Sequence, residues 1–208
     1  MTGSDAGEGH WRKVYRETGA DAVSWYEAEP SASLEALARA GVSGARSFVD
    51  VGGGASRLVD QLLDRGWSDL TVVDIASEAL AVSQQRLGER AHGVNWLAVD
   101  ISAWTPSRSF QIWHDRAVFH FMTEPEQRAG YKTALRLGTR EGSLAIFATF
   151  ALTGPERCSG LPVRRYDARA LAAEFSDHFE LLDSWQDDHV TPSGRVQPFL
   201  WSVLKRSA

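Results

Sequence analysis

The 208-residue chain has a single cysteine, Cys158. One thiol forms no internal disulfide and cannot build a four-thiolate zinc site. The six histidines lack the paired spacing of metal ligands, so no metal is expected. No apolar run approaches the ~20 residues that span a bilayer. The opening MTGSDAGEGH has neither the basic start nor the apolar stretch of a secretion signal. These absences predict a soluble, cytoplasmic chain with no membrane partner. An excess of positive charge is also missing: 22 basic face 27 acidic side chains, net −5, which argues against nucleic acid as a partner. Glycine (18) and proline (7) are too few for a collagenous or low-complexity chain. Neither a fixed-period repeat nor a long linker interrupts it.

What is present is ordinary for a globular domain, 43% hydrophobic and 24% charged, with an unusual eight tryptophans. That length supports one sizeable core rather than two. Thr2–Gly9 is small and polar and is expected to be disordered. His10–Ala40 carries aromatic and aliphatic residues at i, i+3, i+4 spacing, which predicts two or three short helices. Strands and helices then alternate. Strands are expected at Ser47–Val51, Leu70–Val73, Val94–Val99, Phe110–His114, Ser143–Phe150, Phe179–Trp185 and Val196–Leu204. Helices are expected at Leu58–Leu63, Glu78–Leu87, Glu124–Leu137 (N-cap Thr123, Pro125 in the first turn) and Ala168–Phe175 (N-cap Asp167). The alternation implies an α/β fold, a doubly wound, mostly parallel sheet of seven strands. A turn at Pro192–Gly194 replaces the last helix, so the final strand is expected to run antiparallel. Ligands of such sheets bind at the C-terminal strand ends, near the switch point.

The strongest local signal is Asp50-Val51-Gly52-Gly53-Gly54-Ala55-Ser56, where a strand ends in glycines and a helix follows. Glycines let backbone approach a ligand, and the next helix offers free N–H groups. Asp74 ends the second strand and can accept hydrogen bonds from both ribose hydroxyls of a nucleoside. Asp100, after the third strand, can accept from an adenine amine. A dinucleotide would want a third glycine where Arg57 stands, and Asp50 sits badly beside a pyrophosphate. An ammonium-bearing nucleoside, S-adenosylmethionine, matches Asp50, Asp74 and Asp100 in chain order, with Asp50 acting directly or through the loop.

On these residues the chain resembles the class I S-adenosylmethionine-dependent methyltransferases, whose first motif reads roughly D-x-G-x-G-x-G; Ser56 replaces the last glycine. The resemblance covers about residues 46–204 and implies a Rossmann-like core there, with S-adenosylmethionine as cofactor and S-adenosylhomocysteine as product. Trp113-His114-Asp115-Arg116-Ala117, followed by Arg128 and Tyr131, is similar to the thiopurine methyltransferase group; the inserted His114 and Ala117 in place of glycine are departures. Gly154–Val163 resembles that group's substrate loop. Trp11…Tyr15 and Ser24-Trp25-Tyr26 resemble a lid of several small methyltransferases, including some acting on protein lysine, which makes residues 1–40 an N-terminal helical lid within a single domain, 1–208. The resemblance implies cofactor contacts at Asp50, Gly52, Gly53, Gly54, Ser56, Asp74, Ile75, Asp100, Ile101, Trp25, Tyr15 and Trp11, and substrate contacts at Tyr26, Cys158 and Arg164.

By position His114, Asp115, Arg116 and His120 are the catalytic candidates, with histidine favoured as a base on pKa. Alternatives accompany each. Asp115 and Arg116 could form a structural ion pair, and His114 and His120 could be packed core histidines. Arg157, Arg164, Arg165 and Arg169 cluster around Cys158 and either receive an anion or form a solvated loop. The expected activity is methyl transfer to sulfur or nitrogen of a small molecule, by a monomer or weak homodimer. The alternatives are a protein lysine methyltransferase and a non-catalytic S-adenosylmethionine-binding protein.

Overall fold

The computed structural model describes residues 3–18, 23–42, 44 and 46–207. Two helices, α1 (Gly3–Thr18) and α2 (Ser31–Arg39), precede the sheet. Next come β1 (Phe48–Val51), α3 (Leu58–Asp64), β2 (Leu70–Asp74), α4 (Ser77–Leu87), β3 (Val94–Ala98) and β4 (Ile112–Arg116). The chain continues through α5 (Pro125–Leu137), β5 (Leu144–Phe150), a small hairpin of β6 (Arg157–Cys158) and β7 (Leu161–Pro162), and α6 (Ala168–Phe175). It ends in β8 (Phe179–Val190) and β9 (Val196–Arg206).

The main sheet has the order β3-β2-β1-β4-β5-β9-β8. β3, β2, β1, β4 and β5 are parallel, while β9 runs antiparallel to both neighbours, β5 and β8. The strand order reverses between β1 and β4, so their C-terminal ends flank the crevice where such sheets take ligands. Asp50 lies opposite His114 there, and Val51 opposite Asp115. All seven residues of β5 are buried, as expected of a strand covered on both faces.

Side chains alternate between two apolar layers. Phe48, Ile112, Ile146 and Trp201 pack with α2 and α3 residues Leu37, Leu58 and Leu62. Val49, Trp113, Phe147 and Leu200 pack on the other face with Tyr131, Leu135, Leu171 and Phe175 of α5 and α6. Asp167 caps α6 as expected, its Oδ1 accepting the Ala170 N–H at 2.7 Å.

Several boundaries differ from expectation. The opening stretch expected to be disordered is helical from Gly3 onward, because α1 docks on the sheet side: Gly7 lies beside Ile75, and Arg12 pairs with Glu78 at 2.8 Å. Thr2, like Met1, lies outside the described residues. β4 starts two residues late, since Phe110 and Gln111 spend their amides on Gly138 and Ser47 instead of a ladder. The N-cap of α5 is Glu124, not Thr123: a capping box forms with Gln127, whose Oε1 accepts the Glu124 N–H at 3.1 Å. β8 runs five residues beyond Trp185 through the polar Gln186-Asp187-Asp188, held by pairing to β9. It is an edge strand with a bulge between Leu181 and Asp183, and Leu182, Asp183, Asp187 and Asp188 are exposed. The β6–β7 hairpin had no sequence signal beyond its glycine and proline. No helix among the described residues is long and apolar enough to cross a membrane.

Gly130 in α5 marks the tightest contact behind the sheet. A Cβ there would overlap the Ser102 carbonyl oxygen, a backbone atom with nowhere to go. The helix-propensity gain of Gly→Ala, about 1 kcal/mol, is thus outweighed. Gly130→Ala is expected to destabilise by about 1–3 kcal/mol in urea unfolding. Gly93→Ala, which meets nothing within 4 Å, should stay within about 0.5 kcal/mol of the parent.

Candidate active site

The loop after β1 is shaped by close approach. Gly52 has φ +70°, and a Cβ on it would overlap Val118. A Cβ on Gly54 would fall 2.6 Å from Asp74 Oδ2 and 2.9 Å from the Ala79 Cβ. The backbone therefore lies directly against the end of β2. Asp74 is buried, and its Oδ1 accepts the Ala76 N–H at 2.8 Å. Burial pushes its pKa from the ordinary 3.8 up to about 7; the charge of Asp50 adds to this, and the amides of Ala76, Gly54 and Ile75 oppose it. Tyr15 reaches the same spot from α1. Burial and then the charge of Asp74 raise its pKa, against the Trp25 side chain and the Ala55 amide.

A cleft of about 770 Å³, open to solvent, lies over these strand ends. Gly52, Asp74, Ile75, Asp100 and Ile101 line it from the sheet side, with Val99 and Met122. Trp11 and Tyr15 of α1 and Trp25 line it too, as do Arg116, Phe121 and Cys158. The aromatic groups interlock edge to face: Trp11 meets Trp25 at 5.5 Å and Phe121 at 5.0 Å between ring centres. A second cavity of about 550 Å³ shares Tyr15, Trp25, Gly52 and Arg116, and adds Tyr26, Glu27, Ser33, Asp50, Gly53, Ser56 and His114. Of the expected site residues, only Gly54, Asp115, His120 and Arg164 line neither cavity.

Strand alternation decides what β4 presents. His114 and Arg116 point to one face and Asp115 to the other, so the ion pair considered for Asp115 and Arg116 does not form. His114 is bracketed: Nδ1 is 2.7 Å from Asp50 Oδ1, and Nε2 is 3.1 Å from Ser33 Oγ. Asp115 is wholly buried and shapes the turn after β4, where Ala117 has φ +70°. It accepts the N–H groups of Val118 (2.9 Å) and Phe119 (3.1 Å) and the Tyr131 hydroxyl (2.5 Å). Burial lifts its pKa to about 6, against those hydrogen bonds. Arg116 donates to the Trp25 carbonyl at 2.9 Å and to Glu27 Oε1 at 2.6 Å. His189 of β8 lies 3.3 Å from Arg116 and 2.7 Å from the Ser24 carbonyl. Arg116 thus ties residues 24–27 to the sheet.

His120 is also wholly buried. Its Nδ1 accepts the Phe150 N–H at 3.3 Å, which leaves the proton on Nε2, and that atom has no partner. Burial drops its pKa to about 3, so the ring is neutral. Cys158 is buried at the cleft wall, and burial raises its thiol to about 11. Arg164 instead pairs with Glu174 at 3.3 Å and lies over the Tyr166 ring. Arg165 pairs with Glu156 at 3.0 Å and Arg157 with the Gly160 carbonyl, so these arginines serve the loop. Glu27, Ser33 and His189 carried no sequence signal, because their partners lie far away along the chain.

An adenosyl group fits the first cleft chemically. Asp74 and Asp100 are acceptor-only when ionised, at the ends of adjacent strands, and Ile75, Val99, Ile101 and Met122 supply apolar wall between them. Asp100 spends Oδ1 on the Ser102 N–H (2.8 Å) and hydroxyl (2.7 Å), leaving its second oxygen for a ligand.

The comparisons with known proteins agree. Residues 48–142 match the family model described as Methyltransferase domain. The chain is 28% identical over 121 residues to the eEF1A lysine and N-terminal methyltransferase of Danio rerio, an alignment covering 58% of the chain and 17% of that protein. The chain thus spans under a fifth of the length of that curated relative. A solved S-adenosylmethionine-dependent methyltransferase from Anabaena variabilis superposes with TM-score 0.76 at 15% identity, covering 99% of this chain and 96% of that one. The 1,6-didemethyltoxoflavin-N1-methyltransferase of Burkholderia thailandensis, solved with bound 1,6-didemethyltoxoflavin and S-adenosylhomocysteine, gives TM-score 0.68 at 20% identity, covering 98% of this chain and 85% of that one.

The raised pKa of Asp74 has a signed consequence. A carboxyl that holds its proton more tightly when folded stabilises the fold at low pH, and that contribution is lost as pH rises through about 7. Asp115, raised to about 6, acts in the same direction, and His120 in the opposite one. The Asp74 share is isolated by difference. The urea midpoint of Asp74→Asn relative to the parent should rise between about pH 5 and about pH 8. A constant difference would place Asp74 in water.

Proposed function

We propose that this chain is a class I S-adenosylmethionine-dependent methyltransferase that methylates sulfur or nitrogen of a small-molecule acceptor by positioning alone, without a general base. The observation that carries this reading is that each candidate base is already engaged. His114 is bracketed by Asp50 and Ser33, Asp115 by two amides and a tyrosine, and His120 accepts from Phe150. When bound, the cofactor supplies an electrophilic methyl group on a sulfonium. Asp74 would hold the ribose hydroxyls, Asp100 the adenine amine, and Asp50 the ammonium. Trp11, Trp25 and Phe121 exclude water from the reacting centre and offer π faces to a dispersing positive charge.

In this reading Asp115 holds the turn that carries Val118 against Gly52, Arg116 holds the roof segment, and His114 fixes Asp50. Tyr26 of the second cavity and Cys158 of the first are the proposed substrate contacts, while Arg164 acts only through its loop. Such a site suits acceptors that are nucleophilic unaided. A thiol with pKa ~8.5 presents some thiolate at neutral pH, and an amine needs only its neutral form. Cys158, with its thiol raised to about 11, stays protonated and does not compete. The segment after β4 and its resemblance to the thiopurine group favour the small-molecule acceptor, and the structural neighbour named as an N1-methyltransferase keeps nitrogen beside sulfur.

A second reading, protein lysine methylation, rests on the aromatic roof and on the relative that modifies eEF1A. Incubation with labelled donor separates them. We expect label in thiols or amines of a small-molecule panel, with kcat/KM for each thiol following the ionisation of that thiol. Label confined to lysate proteins would establish the second reading. With donor saturating, an enzyme-borne pKa common to all acceptors that persists in Asp74→Asn and vanishes in His114→Gln would defeat the base-free mechanism.

A further inference from the structure

The four carbonyls from Gly53 to Ser56 are all taken. Gly53 O accepts the Ser56 N–H at 2.7 Å, closing the turn. Gly54 O accepts the hydroxyl of Ser83, a wholly buried side chain of α4, at 2.7 Å. Arg86, one turn further along α4, donates from Nη1 to Ala55 O at 3.1 Å and from Nη2 to Ser56 O at 2.7 Å. Its Nη2 also meets Ser83 Oγ at 3.0 Å. The guanidinium is itself fixed by Asp60 of α3 through two bonds, Nε to Oδ1 at 2.9 Å and Nη2 to Oδ2 at 2.7 Å. A planar fork suits this task, and an ammonium would not reproduce it.

A trans peptide points its C=O and the following N–H in opposite directions. Holding Gly54 O on Ser83 therefore turns the Ala55 N–H the other way, and this amide acts on Tyr15 while that of Gly54 acts on Asp74, both in the cleft. We propose that Arg86, which lines neither cavity, is a positioning residue for the nucleoside of the methyl donor: fixed by Asp60, it anchors Ser83 and the carbonyls of Ala55 and Ser56 behind the loop, so that the Gly54 and Ala55 amides stay turned toward Asp74 and Tyr15. This rests on reading the cleft as the donor site. The alternative is an ion pair that serves only to join α3 to α4.

The test compares the parent with Arg86→Ala, Arg86→Lys, Ser83→Ala and, as a control, Arg90→Ala, which removes an exposed pair with Asp64. Affinity for S-adenosylhomocysteine is measured by calorimetry, loop order by hydrogen exchange of the Gly53–Ser56 amides, and stability by urea. Arg86→Ala should weaken the ligand by about tenfold or more and speed exchange of the loop amides. It should raise the donor KM with the acceptor KM unchanged. Arg86→Lys should recover part of the affinity, and Arg90→Ala should match the parent. Parent-like affinity and exchange in Arg86→Ala, with only a lowered urea midpoint, would make Arg86 a plain structural residue and overturn the proposal. If Arg86→Ala does not fold, unchanged affinity in both Arg86→Lys and Ser83→Ala overturns it equally. A parent chain that binds no S-adenosylhomocysteine would overturn the donor-site reading and this inference with it.

Discussion

The backbone between Val51 and Ser56 comes nearer to its surroundings than any side chain would allow. Gly52 sits against Val118, on the turn after β4, and Gly54 against Asp74, at the end of β2. Three strand ends thereby meet at one point, with β1 between its two parallel neighbours. This convergence makes the cleft. It brings an acid from β2, the turn of β4 and the amides of the loop within reach of a single ligand, and it buries Asp74 enough to change its protonation. Three consecutive glycines give the unfolded chain extra conformational freedom, so ordering them on folding costs entropy. The clasp from α4 offsets part of that cost by giving the Gly54, Ala55 and Ser56 carbonyls partners.

Period-two alternation then sorts the chemistry. On one face of β1 and β4 stand Asp50, His114 and Arg116, reaching toward α2 and residues 24–27. On the other stand Trp113 and Asp115, reaching toward Tyr131. The first group touches the cavities; the second builds the turn beneath them. Arg116 links the two cavities because it lines both while holding the Trp25 carbonyl. Aromatic side chains delivered by α1 and by Trp25 close over the strand ends, so access to the cleft is coupled to the hold of one guanidinium on one backbone segment.

What was legible in the sequence is what short-range physics writes there. The strand-loop-helix turn at Gly52–Gly54, the acids at the ends of β2 and β3, the Asp167 cap and the closing hairpin all follow from neighbours within a few positions. The mostly parallel, seven-stranded character of the sheet followed from the alternation of strands and helices, whereas the strand order came only from the structure. What stayed hidden depends on contacts between distant positions. Arg116 meets Trp25 across 91 positions and His189 across 73, and no local pattern marks Ser33 as the partner of His114. The helix at Gly3 was missed because its composition is poor in helix formers and its order comes from docking on Ile75 and Glu78. Asp115 and Arg116 looked like a pair because they are adjacent; in a strand, adjacency sends them to opposite faces.

The outer strand of the sheet, β8, leaves one row of backbone amides and carbonyls without a neighbouring strand. A second copy could add to such a row and grow a ribbon. The carboxylates of Asp183, Asp187 and Asp188 and the irregular step at Leu181–Asp183 stand in the way: stacking copies there would crowd like charges and break the spacing of the ladder. The same acidic tract that concealed the length of this strand thus guards the chain against self-association along its open rim, and it does so most effectively at low ionic strength, where carboxylates repel over longer distances.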